Sequence, residues 1–120
     1  MQTSDFGQGA ILVAQRDVEA LFAFTERIAL EEITDITTNC ADQQANSEFS
    51  QLAQAAESSV MAALDDVDGQ TLTHFDAALD ELRHARQQFF VNIPTNRVNC
   101  HLHADNAKRA FDSGLAEFIN

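Results

Sequence analysis

The stretch NCHLHADNAKRAF, residues 99–111, sets Cys100, His101, His103 and Asp105 within one short window, and all four are types that ligate metals. Its reading decides the fold. If extended it would be a local metal knot; if helical, the fourth member of a bundle. Cys100, Ala104, Ala107, Phe111, Leu115 and Phe118 recur at spacings of four, three, four, four and three, which is helical. On a helix His101 and His103 lie about 200° apart while Cys100 turns to the apolar side, so the ligands scatter. We therefore expect a helix capped by Thr95 or Asn96, and we assign no metal site and no cofactor.

Working outward, Val18, Leu21, Phe22, Ile28, Ala29, Ile33, Ile36 and Cys40 share a stripe at about 100° per residue. That predicts a first helix ending near Thr38 or Asn39. Ile11 and Ala14 continue the stripe backwards, with Ser4 or Asp5 available as a cap. Residues 1–15 are thus an extension of this helix, helical or partly disordered, with a short strand as the alternative. Asn46 or Ser47 can cap a second helix with an alanine-rich face: Phe49, Leu52, Ala53, Ala56, Val60, Ala63, Leu64 and Val67. Thr71 opens a third, carrying Leu72, Phe75, Leu79, Leu82, Phe89 and Phe90, and Pro94 stops it. The expected fold class is all-α, an up-down-up-down four-helix bundle forming a single domain over residues 1–120.

Composition agrees with this. The 120 residues are 45% hydrophobic, with nine Phe against one Pro and four Gly, too little turn punctuation for a β-rich chain. A formal charge of −12 repels phosphate backbones and anionic headgroups, so neither nucleic acid nor a membrane is an expected partner. No apolar run reaches the roughly 18 residues that span a bilayer, and the opening MQTSDFGQGA lacks the order of a secretory signal. A cytoplasmic location is the expectation.

Two charges fall inside apolar stripes. Glu32 lies between Ala29 and Ile36, and Arg86 between Leu82 and Phe89. Buried charges must be paired or they cost several kcal/mol. Each stands near the end of its helix, at the end where helix four begins, so Glu32, Arg86 and His103 are expected to form an internal polar layer beside Ala53. Such a layer fixes helix register, or it binds a small molecule through Arg for an anionic group or Glu for an amine. Cys40 and Cys100 belong to the same end. A disulfide between them is geometrically open, and two packed thiols are the alternative in a reducing compartment.

Glu81-x-x-His84 has half of a di-metal carboxylate spacing, but no second such pair exists, and both side chains are expected to face outward. The exposed His84 and His74 invite comparison with phosphotransfer four-helix domains, yet neither has the neighbouring Lys or Gly that such domains use. Residues 31–35, EEITD, resemble the first acidic motif of the all-helical nucleoside triphosphate pyrophosphohydrolases. The resemblance implies Mg²⁺ held by Glu31, Glu32 and Asp35 opposite an acidic pair on a partner helix. Asp65 and Asp68 fall at the other end of the bundle, and Asp76 and Asp80 lie low on helix three.

Phe24 and Leu30 flank helix one's stripe on opposite sides, and Ile11 to Ala14 reach past the helices that would cover them. Ile11, Leu12, Val13, Phe24 and Leu30 are therefore the expected interface residues of a homodimer or of a complex with a protein partner. With no convergent catalytic set, the expected function is a non-enzymatic interaction or regulatory module. The alternatives are a small-molecule binding bundle using the Glu32, Arg86 and His103 layer, and a Mg²⁺-dependent nucleotide pyrophosphohydrolase.

Overall fold

The computed structural model describes residues 2–34, 43–89 and 96–119. They form helices α1 (Gln2–Thr34), α2 (Gln43–Leu64), α3 (Gly69–Phe89) and α4 (Asn96–Ile119), and no strand is present among them. The N-terminal extension is thus helix, continuous with α1. Its reason is the apolar period, since Ile11 at 2% exposure and Ala14 at 0% are as deeply buried as Leu21. Ile11 and Ala14 are covered, contrary to the expectation that this segment outruns its neighbours.

Helix α2 begins at Gln43, so Asn46 and Ser47 lie within its first turns instead of capping it. Gln and Ala are good helix formers and carry the helix back past those positions. Helix α3 begins two residues before Thr71. The Asp68 carbonyl accepts the first helical bond, from the Leu72 N–H at 3.2 Å. Gly69 adopts φ +57°, a backbone conformation that a side chain disfavours, which lets α3 start straight after the short link 65–68. The helix ends read around Thr38, Asn39, Pro94 and Thr95 lie outside the described residues.

Each helix packs on two neighbours in a closed ring, α1 on α2 and α4, and α3 on α2 and α4. The cross-helix pairs run in opposite senses along every adjacent pair. Arg27 meets Glu48 while Asp17 meets Ser59, and Phe111 stacks on Phe75 while His103 meets Glu81. An up-down-up-down arrangement requires this pattern. The body is elongated, 53 × 22 × 19 Å.

Alanines at 0% exposure, Ala53, Ala56, Ala63, Ala78 and Ala85, make up much of the buried faces of α2 and α3. Aromatic pairs fill both ends. Phe49 stacks on Phe89 with centroids 3.9 Å apart, and Phe75 on Phe111 at 4.4 Å. Gly114 makes the second pair possible: a Cβ there would sit 2.6 Å from the Phe75 ring.

Candidate functional site

Arg86 and His103, two of the three residues expected in a polar layer, take separate partners. Arg86 leaves the α3 core face, where Ala85 is buried instead, and its Nε meets Glu57 of α2 at 2.8 Å with half of the side chain exposed. The long aliphatic stem carries the guanidinium around the helix flank, where it keeps part of its contact with water while pairing with the mostly covered Glu57. His103 takes a different neighbour. Its Nδ1 lies 2.6 Å from Glu81 of α3, and its ring stacks on His84 at 5.3 Å. The side chains of Glu31 and Glu32, and Asp35 as a whole, lie outside what the structure describes. Among the described residues Arg97 is a buried cation, at 6% exposure; it stands three residues before Cys100 on the same stripe of α4, a position the sequence reading left out.

The four ligand types of residues 99–111 diverge as helical geometry demands. Cys100 enters the core, His101 faces α1, His103 faces α3, and Asp105 pairs along α4 with Arg109 at 3.1 Å. Among the described residues no group of three or more His, Cys, Asp or Glu could hold a metal ion. Exposed His84 is tied locally. Its Nδ1 lies 2.8 Å from the Asp80 carbonyl, an acceptor only, so that nitrogen carries the proton.

Cys100 is a free thiol with 0% exposure, and burial pushes its pKa from 9.0 to about 12. It is a packing residue, held neutral. Cys40, its candidate disulfide partner, lies outside the described residues.

Of the five expected interface residues, the bundle takes two for itself. Ile11 and Phe24 are buried at 2% and 5%, with Phe24 packed near Phe49 and under the Arg27 guanidinium. Leu12, Val13 and Leu30 stay exposed at 61%, 41% and 59%. Residues Leu12 and Leu30 are five whole helical turns apart, so they lie on one line of α1, about 27 Å from end to end. That line runs opposite the buried stripe and points away from the bundle.

Beside Leu30 this face is concave. Ala23, Glu26, Arg27, Ala29, Leu30 and His101 line an open depression of about 500 Å³. Its back wall is ordered by a polar contact that the sequence reading missed. Thr25, wholly buried, donates its hydroxyl to the Phe22 carbonyl at 3.0 Å, which leaves its oxygen to accept from His101 Nδ1 at 3.1 Å. The imidazole also rests against Phe22, with centroids 5.1 Å apart. One signal could have found this pair: Thr25 sits mid-stripe in α1, and a stripe hydroxyl must find a partner.

Charge on the outer face is arranged as well. Arg16 is about three-quarters exposed and pairs with Asp17, whose carboxylate also accepts the Ser59 hydroxyl of α2. Glu26 is exposed and makes no ion pair with any described residue. Lys108 of α4 has its pKa raised, first by its hydrogen bond to Asp112 and less by the charges of Asp112 and Glu19, which places Glu19 near a cation. No described helix is long and apolar enough to cross a membrane. Comparison with protein-family models, with curated proteins and with solved structures finds no match, so what this chain does must be argued from the surface just described.

Proposed function

We propose that this chain is a non-enzymatic helical-bundle module that works by self-association through the outer face of α1. One observation carries the reading: Leu12 and Leu30, both more than half exposed, stand on one outward line of a helix whose opposite side already supplies the core. Covering them would recover about 1 kcal/mol each from apolar area alone. Of the other exposed large apolar residues, Val13 lies about 100° around α1 from Leu12, and Met61, Leu72, Leu102 and Ile119 belong to α2, α3 and α4; single exposed residues of this kind are ordinary. A buried, neutral Cys100 suits a reducing compartment, and we place the protein in the cytoplasm on that ground and on its acidic surface.

The test is native mass spectrometry with sedimentation velocity on the intact chain and on the Leu12→Lys, Leu30→Lys double variant. Loading should span micromolar dissociation constants. We expect a dimer for the parent chain and a folded monomer for the variant. A parent chain that stays monomeric throughout removes the reading. The same spectrum reports any retained small mass, the outcome that the small-molecule alternative requires.

A further inference from the structure

The outer line of α1 consists of Leu12, Arg16, Glu19, Ala23, Glu26 and Leu30, all exposed. Their spacings are four, three, four, three and four. This is the 3.5-residue period of a two-helix seam, and the series reads the same in both directions. A second copy of α1 laid antiparallel on the first therefore superposes seam on seam. In that register Leu12 faces Leu30, Arg16 faces Glu26 and Glu19 faces Ala23, and each pairing occurs twice about a two-fold axis near the middle of the line.

We propose that the protein forms a two-fold symmetric dimer in which the α1 helices pair antiparallel in this register, Leu12 of each copy seating in the depression beside Leu30 of the other. The inference rests on the self-association reading above and supplies its geometry. Three features of the surface select a second copy of this chain as the occupant. Charge is complementary only in the antiparallel sense, since the parallel register opposes Arg16 to Arg16 and Glu26 to Glu26. The depression backed by His101 lies at the Leu30 end, about 27 Å along the helix from the Leu12 knob. A two-fold axis brings each knob to the other copy's depression and closes the assembly at two subunits. The small Ala23 lies opposite Glu19, so the middle of the seam holds no steric obstacle.

The test is a charge swap read by sedimentation equilibrium, with far-UV circular dichroism confirming that each variant keeps its helices. Arg16→Glu alone and Glu26→Arg alone should each weaken dimerisation about tenfold, because each turns two attractive contacts into two repulsive ones. The double variant Arg16→Glu, Glu26→Arg restores the pairs in the antiparallel register and should return the dissociation constant to within about threefold of the parent value. A parent dimer broken by the leucine double variant, but whose double charge swap is no tighter than the single changes, overturns this register and leaves self-association standing. Absence of any parent dimer overturns both.

Discussion

The inner and outer faces of α1 have the same rhythm and opposite fates. Inward, Ile11, Ala14, Val18, Leu21, Thr25 and Ile28 recur at spacings of three and four, and none exceeds 2% exposure. Outward, Leu12, Arg16, Glu19, Ala23, Glu26 and Leu30 recur in the same way, and all are exposed. Period alone does not separate a permanent contact from a conditional one. Composition does: an unbroken apolar stripe must be covered for the chain to fold, whereas a seam with leucine only at its ends and charge between is stable in water and gains when a matching surface arrives.

The largest effect should come from breaking the inner face. Leu21→Ala removes a fully buried side chain and is expected to lower unfolding stability by about 2–5 kcal/mol in chemical denaturation. Leu12 and Leu30 replacements, measured as monomers, should stay within about 0.5 kcal/mol of the parent. Equal losses from the two faces would abolish the distinction between them.

Cys100, which packs into the same core as the inner face, gives a pH-dependent version of the test. Its folded pKa stands above its unfolded value, so the folded state holds the proton more tightly. The associated stability is complete below pH 9 and drains away as pH rises from 9.0 toward about 12. Thermal melts should fall with pH above 9 by no more than about 1.4 kcal/mol per pH unit in excess of a Cys100→Ala variant. Parallel alkaline limbs for the two proteins would show that the thiol is not held neutral by burial.

The smallest expected effect sharpens the one polar exception on the inner face. Thr25→Val preserves shape and deletes the hydroxyl that accepts from His101, so a loss of about 1 kcal/mol is expected. In a His101→Phe background the same change should cost much less, so that a double-mutant cycle returns the coupling between the two side chains. A Thr25→Val protein as stable as the parent would mean that His101 is held by Phe22 alone.

Legibility in the sequence followed the strength of the local signal. The helical reading of residues 99–111 dispersed Cys100, His101, His103 and Asp105, and the structure sends them to the core, α1, α3 and Arg109. Positions at the margin of a stripe were harder to read. Arg86 was placed inside and lies outside, and Ile11 and Phe24 were placed at an interface and lie in the core. At a margin, azimuth along one helix does not decide burial, because the answer depends on where the neighbouring helix sits. Leu12 and Leu30 were named from sequence, and their spacing along a helix puts them on one line, but the depression beside Leu30 emerges only when α4 brings His101 alongside.

The sequence by itself determined that this chain is all-helical, where its four helices lie to within a few residues, and that α1 has an apolar side for the bundle. Those properties depend on the 3.6-residue period and on caps and breakers, which act within a few residues along the chain. Only the tertiary structure decided which marginal residues are covered, that Arg86 pairs with Glu57 and His103 with Glu81, and that the outer line of α1 remains open. These outcomes depend on distances between helices, such as the close approach of α3 and α4 that Gly114 allows at Phe75, and no pattern along a single helix contains them.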